Sequence, residues 1–291
     1  MTIEPDLKGA NADQIDYWNA SAGETWAALN ERLDRTIEPL GRAAMEALAP
    51  APGERLVDIG CGCGQTTLDL ARRVGAKGAV LGVDVSARML QVARGRAARS
   101  GPSQAAFLRA DAQTHAFETG AFDAAFSRFG VMFFEGPAAA FANIRAALAP
   151  GGRVAFLCWR AAAENPMMTV PFAAALPHLP QAPPPPDPLA PGPFAFADPD
   201  RVRAILAAAG FGDIAIAPHD QRIGGADLDE AIDTALKVGP LGAVLRDRPD
   251  LHGTVIEAVR AALAPFATDG GVIFDSATWI VTARNAGHPP S

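Results

Sequence analysis

"LVDIGCGCGQTT", residues 56–67, sets Gly60, Gly62 and Gly64 directly behind a short apolar run that contains an acid, Asp58. Pro52-Gly53 punctuates the chain just before, and a run of this kind bounded by turn residues reads as a buried strand. The letters that follow, "QTTLDLARRVGAKG" (65–78), read as a helix with Gly75 and Gly78 near its end. Two readings compete for the turn between them. Cys61 and Cys63 suggest a metal knuckle, but Cys-x-Cys with no further Cys or His nearby lacks a four-ligand complement. Alternating glycines behind a strand suggest instead a sharp turn where a ligand lies against bare backbone, facing the free N–H groups of a helix start. The turn reading fits better; it calls for no metal and leaves both thiols as small residues in a tight bend.

Working outward, the rhythm repeats. "AVLGVDVS" (79–86) is a strand and "ARMLQVARGRAARSG" (87–101) a helix; "AAFLRADA" (105–112) and "FDAAFSRFG" (122–130) are strands. "PAAAFANIRAALAPGG" (137–152) is a helix with Pro at its start and Gly past its end, and "RVAFLCW" (153–159) is a fifth strand. Strands alternating with helices predict a doubly wound, mostly parallel α/β sheet. Ahead of it, residues 24–49 carry apolar positions at helical spacing, with Pro39 expected to divide two helices. Behind it, 160–197 is dense in proline and predicts turns and polyproline, with four prolines at 183–186. A helix (198–211) and two strands (212–224 and 271–285) then resume the pattern, making seven strands in all. Between those strands, about 226–269 reads as a helical cap insertion. The expected organisation is a leader (1–50), a ligand-binding core (51–160), a Pro-rich lid (161–197) and a closing segment with the cap (198–291).

Bulk properties narrow the class. The 291 residues are 49% hydrophobic and 20% charged, with a net charge of −7. Nucleic-acid binding normally needs a basic face, and no Lys or Arg run exceeds Arg72-Arg73. No apolar stretch approaches the roughly 18 residues of a membrane span. The first residues carry acids where a signal peptide is basic, and three cysteines make no disulfide framework, so a reduced, cytoplasmic protein is expected.

In an open parallel sheet, ligands bind beyond the carboxyl ends of the strands, near the point where strand order reverses. Asp58 and the glycines lie at the end of the first strand, Asp84 at the end of the second and Asp111 just after the third. An acid at the position of Asp84 can accept hydrogen bonds from both hydroxyls of a ribose. Three acids in one crevice would repel a pyrophosphate, so the ligand implied is a nucleoside without phosphates. The dinucleotide spacing G-x-G-x-x-G fails accordingly: its last position is Gln65 counted from Gly60, or Thr67 counted from Gly62.

"VDIGCGCGQTT", "GVDVS", "FLRADAQ", "FDAAFSRFGVMFF" and "LAPGGRVAFLCW", in this order, resemble the motifs of class I S-adenosylmethionine-dependent methyltransferases. The likeness is nearest to the small-molecule group that includes the ubiquinone and menaquinone enzymes. It covers residues ~50–160 strongly and the leader and late strands loosely. It implies a Rossmann-like fold with S-adenosylmethionine as cofactor. By resemblance, Gly60, Cys61 and Gly62 pass beside the methionine part, flanked by Gln65 and Thr66, and Asp58 reaches its ammonium. Asp84 takes the ribose, beside Val85; Met89 packs on the adenine; Asp111 accepts from the adenine amino group, beside Ala112 and Gln113. Ser127, Arg128 and Phe129 border the sulfonium, Tyr17 and Trp26 close over the methionine tail, and Met132, Phe133 and Trp159 face the acceptor. Tyr17, Trp18 and Trp26 can equally be read as anchors of a leader helix.

Methyl transfer from a sulfonium needs orientation and a dry site more than a general base, and none of the five scattered histidines is singled out as one. The mostly apolar lid and cap predict a small or medium-sized, partly apolar acceptor, with no nucleic acid and no membrane span. Their replacement is expected to change acceptor use and spare the cofactor, and Asp84→Ala to weaken cofactor binding far more than the fold. Transfer to a macromolecule, a noncatalytic S-adenosylmethionine-binding module and a nicotinamide oxidoreductase are the rival readings. The acceptor and the oligomeric state stay open, a homodimer included.

Overall fold

The computed structural model describes residues 9–179 and 187–286. The strands are β1 (Arg55–Ile59), β2 (Ala79–Asp84), β3 (Ala105–Arg109), β4 (Phe122–Arg128), β5 (Leu148–Trp159), β6 (Gly212–Ala226), β7 (Ala267–Thr268) and β8 (Gly271–Arg284). They form one eight-stranded sheet of order β3-β2-β1-β4-β5-β8-β6, with the two-residue β7 pairing to β8 beside that path. β1 to β5 are mutually parallel, while β8 runs antiparallel between β5 and β6. The sheet is the doubly wound α/β sheet read from the sequence, seven strands along its path, with β7 as a small addition. Strand order reverses between β1 and β4, so the crevice opens beyond Ile59 and Arg128.

β1 is buried from Leu56 to Ile59, Asp58 included, because helices cover both faces of the sheet. α4 (Gln65–Val74) and α5 (Ala87–Ser100) follow β1 and β2, and α6 (Pro137–Ala147) follows β4. The leader folds into α1 (Ala12–Asn19), α2 (Ser21–Ala28) and α3 (Asn30–Leu48). α3 corrects the expected break at Pro39, which lies inside one continuous helix. Leu33, Ile37, Leu40, Gly41, Ala44, Met45 and Leu48 fall on one buried stripe spanning the proline. A helix-interior proline costs about 3 kcal/mol, and each large apolar side chain buried returns roughly 1.5–3 kcal/mol, so packing wins.

A second correction lies in the Pro-rich stretch. Where turns and polyproline are predicted, residues Pro166–Ala175 form α7. Pro166 stands at its start, where a missing N–H costs nothing. Just before it, buried Asn165 pins the helix to β8, accepting from the Ala277 N–H at 3.0 Å and donating to the Ala277 carbonyl at 3.1 Å. The four prolines at 183–186 lie outside the described residues. α8 (Pro199–Ala208) packs on β6, and α9 (Leu228–Lys237), α10 (Gly239–Asp247) and α11 (His252–Leu263) make up the insertion between β6 and β8. Ala175 of α7 shares a separate small core with Ile232, Leu236, Leu241, Leu245, Val255 and Val259 of those helices. The Pro-rich segment and the insertion thus pack together at the carboxyl edge of the sheet.

Candidate active site

The three glycines of the turn have different reasons for being glycine. Gly60, Gly62 and Gly64 all take positive φ, +67°, +54° and +83°. A Cβ on Gly60 would come within 2.7 Å of the Gly130 Cα, and one on Gly64 within 2.8 Å of the Ala93 Cβ. A Cβ on Gly62 would meet nothing nearer than the Met89 Sδ at 3.9 Å. Gly60 and Gly64 serve packing between elements; Gly62 leaves open space above the turn. Gly60→Ala is therefore expected to lower the melting temperature of the empty protein sharply, because backbone would have to move. Gly62→Ala carries only the left-handed strain, about 1–2 kcal/mol, yet is expected to abolish binding of S-adenosylhomocysteine in calorimetry.

Asp58, fully buried beneath the turn, accepts hydrogen bonds at Oδ2 from the Thr66 and Thr67 hydroxyls, both at 2.6 Å. Its Oδ1 is buried without a partner. Burial pushes this carboxyl up to about 6, against the pull of those two hydroxyls. Asp84 accepts from the Gly62 N–H at Oδ2 and the Ser86 N–H at Oδ1, both at 2.8 Å. Burial raises its carboxyl too, offset first by the N–H groups of Ser86 and Gly62. Ser86 caps α5 by accepting from the N–H of Met89, whose buried side chain lies near Gly62. Burial also raises the Cys61 thiol well above its ordinary range and the Cys63 thiol to about 12.

Asp111, 3% exposed, accepts at Oδ1 from the Gln113 N–H and the Asn11 side chain, both at 2.9 Å, and at Oδ2 from the Thr114 hydroxyl at 3.2 Å. Gln113 Oε1 accepts from the Gly136 N–H, and the Ala112 carbonyl accepts from Asn143. At the end of β4, the Ser127 hydroxyl donates to the Ile59 carbonyl at 2.7 Å, tying β4 to the turn. Phe129 holds φ at +63°, a costly conformation for a bulky residue, and its ring stacks on Trp159 at 4.1 Å with 9° between planes. Met132 is buried just beyond, and Phe133 meets Trp18 edge-on at 5.3 Å.

Three placements differ from a simple reading of the letters. Arg128 turns toward α3 and α4, where it donates to Asp34 at 2.9 Å and bonds Gln65; a Cβ on Gly41 would touch it. Asp34 also takes Arg96 at 2.6 Å, so one leader acid links α3 to β4 and α5. Tyr17 is 40% exposed and its hydroxyl accepts from Arg246 of α10 at 2.8 Å. Trp26 lies edge-on to Trp18, which is the leader aromatic reaching the loop after β4.

Sequence reasoning missed Asn11, Asn19, Asp34 and His219. Asn19 donates to the Val85 carbonyl and accepts from the Ala87 N–H, beside the end of β2. His219 of β6 pairs with Thr278, which pairs with Trp159, so the three side chains share one sheet face. Its Nε2 is buried without a partner, while the Thr278 and Ser276 hydroxyls donate to the carbonyls of His219 and Gln221. The orphan nitrogen is a geometric signal that no sequence pattern carries.

The family description matching residues 56–152 is a methyltransferase domain. The chain thus carries a methyltransferase domain over residues 56–152. The chain is 35% identical over 118 residues to the aklanonic acid methyltransferase DauC of a Streptomyces species, covering 40% of this chain and 54% of that protein. It is 32% identical over 155 residues to the demethylmenaquinone methyltransferase of Lactococcus lactis, covering 53% of this chain and 62% of the relative. The chain thus spans little more than half the length of these curated relatives. Among solved structures, a Haemonchus contortus phosphoethanolamine N-methyltransferase in complex with S-adenosylmethionine shares the fold at a TM-score of 0.58 and 18% identity, over 96% of this chain and 61% of that one. The YcgJ protein of Bacillus subtilis does so at 0.56 and 17%, over 84% and 97%. The turn at residues 60–64 has room and acceptors for such a cofactor. It offers bare backbone at Gly62, an unpartnered carboxylate oxygen beneath and a half-occupied carboxylate at Asp84.

Proposed function

We propose that the chain transfers a methyl group from S-adenosylmethionine to a small or medium-sized, partly apolar acceptor. S-adenosylmethionine, when bound, supplies a methyl group activated on a sulfonium. The chain's residues hold the two reactants together and keep water out, which is worth roughly 7–11 kcal/mol in well-oriented reactions. Asp58 Oδ1 takes the ammonium of the methionine end, with Gly60, Cys61 and Gly62 alongside and Gln65 and Thr66 at the helix start. Asp84 takes the ribose hydroxyls, Met89 packs on the base, and Asp111 with Ala112 and Gln113 meets its edge. Phe129 and Trp159 wall the reacting centre with Met132 and Phe133 near it, and the leader with Tyr17 and Trp26 covers the cleft.

The observation that carries the acceptor reading is the Phe129–Trp159 stack, a rigid apolar wall held by a strained backbone where Gly60 meets Gly130. His219 Nε2, on the same sheet face as Trp159, supplies a polar handle for one oxygen or nitrogen of the acceptor. A screen of metabolite pools with methyl-labelled S-adenosylmethionine tests this directly: label is expected in a small apolar product. Label only in protein or RNA would overturn it.

We assign the acceptor side to α7 and the insertion α9–α11. Met167 and Met168 of α7 pack against the main core at its border with the helical insertion. Their replacement by Ala is expected to shift turnover or acceptor preference while S-adenosylhomocysteine affinity stays within about threefold, below the tenfold that ~1.4 kcal/mol represents. Collapse of cofactor binding with acceptor preference unchanged would move these residues to the cofactor side. Leu236 and Leu241 are poorer probes, since both belong to the core of the insertion itself.

A further inference from the structure

Asn11 sits one residue before α1, is 5% exposed, and bridges two loops far from it in sequence. Its Nδ2 donates to Asp111 Oδ1 at 2.9 Å, and its Oδ1 accepts from the Glu135 N–H at 2.7 Å. Both groups of the amide are therefore engaged, one on the loop after β3 and one on the loop after β4. From the same two loops, Gln113 Oε1 accepts from the Gly136 N–H at 2.9 Å, closing a second bridge. The leader is the third party in a brace that is otherwise made by the crevice itself.

The brace has a chemical consequence at Asp111. A carboxylate has about four acceptor positions. At Oδ1, the Asn11 amide and the Gln113 N–H take both positions, and at Oδ2 the Thr114 hydroxyl takes one. Asn11 thus fixes which oxygen stays available and in which direction it faces. An oxygen held this way is an acceptor only. It suits an amino group on a purine ring and repels a carbonyl oxygen at the same ring position.

We infer that Asn11 is a positioning residue that makes Asp111 discriminate a 6-amino from a 6-oxo purine in the cofactor, so that base selectivity depends on the leader being docked. The inference rests on Asp111 meeting the base, as proposed above. Other leader contacts support docking over the same crevice: Asn19 bonds beyond β2, and Trp18 packs on Phe133 beyond β4. Leader contacts therefore fall at the carboxyl ends of β2, β3 and β4 together.

The experiment is calorimetric titration of the full chain with S-adenosylhomocysteine and with its 6-oxo analogue, S-inosylhomocysteine. Asn11→Asp keeps an oxygen for the Glu135 N–H and replaces the donor to Asp111 with a second carboxylate oxygen; Asn11→Ala removes both groups without adding charge. Thermal melts of the empty proteins check that each variant is folded. Wild-type protein is expected to favour the adenosyl ligand, and both variants to lose at least about fivefold of that preference, because a hydrogen-bonding site discriminates through its fixed polar partners. Equal weakening of both ligands, with the preference intact, would make Asn11 a merely structural tie and overturn the inference. Asp111→Asn separates the two levels. If it leaves the preference intact, Asp111 does not read the base; if it removes the preference while both Asn11 variants retain it, only the role of Asn11 fails.

Discussion

Asp84→Ala is expected to weaken binding of S-adenosylhomocysteine about a hundredfold or more. The Asp84 carboxylate has about four acceptor positions, of which the Gly62 and Ser86 N–H groups occupy one on each oxygen. The two that remain match the two hydroxyls of a ribose. Hydrogen bonds to a charged group contribute about 1.5–3 kcal/mol each, so losing two removes roughly 3–6 kcal/mol, and 1.4 kcal/mol is tenfold. The fold carries a smaller cost of its own. Asp84 is buried, and truncation leaves two turn N–H groups without acceptors. The empty variant should melt measurably lower, by the ~1–3 kcal/mol that an unsatisfied buried group costs. Asp84→Asn keeps one carbonyl oxygen and should fall between. Calorimetry alongside thermal melts reads both quantities, and an unchanged dissociation constant in Asp84→Ala would remove the ribose role.

The second large effect is a pH dependence set by Asp58. Its carboxyl is raised from 3.8 to about 6, first by burial, with the Thr66 and Thr67 hydroxyls and Arg128 pulling down and Asp84 pushing up. A raised carboxyl means that the folded, empty protein holds its proton more tightly than the unfolded chain. That contribution to stability is complete below pH 3.8 and is lost as pH rises through about 6. Binding runs the other way. A ligand ammonium prefers the carboxylate, so below about 6 binding must first expel the proton. The affinity for S-adenosylhomocysteine is expected to fall by up to about tenfold between pH 6 and 5 and to level off above pH 7. Asp58→Asn should bind weakly at every pH, with a flat profile and no loss of fold. A flat profile in the wild-type protein would show that no ammonium reaches Asp58.

The crevice was legible in the letters because its parts are local. A strand, a glycine turn and a helix start lie within residues 55–65, and Asp84 and Asp111 follow their own strands at once, so position along the chain gives position in the site. Contacts that span long separations were not legible. Asn11 meets Asp111 across 100 residues, Asp34 meets Arg128 across 94, and Tyr17 meets Arg246 across 229. Nothing in the local pattern of Arg128 says that its side chain pairs with Asp34 and Gln65, since α3 must dock before Asp34 is there to meet it. Pro39 and α7 mislead for a related reason: proline signals a break locally, and burial of a long apolar stripe or a helix start pinned by Asn165 overrides it. His219 is invisible for a third reason. Its interest lies in a nitrogen that packing has left without a partner.

The most direct measurement is a pair of calorimetric titrations of the intact protein, one with S-adenosylhomocysteine and one with NAD. The uncrowded backbone at Gly62, the unpartnered buried oxygen of Asp58 and the half-occupied carboxylate of Asp84 predict saturable heat with S-adenosylhomocysteine and none with NAD. Heat with NAD and none with S-adenosylhomocysteine would contradict the account.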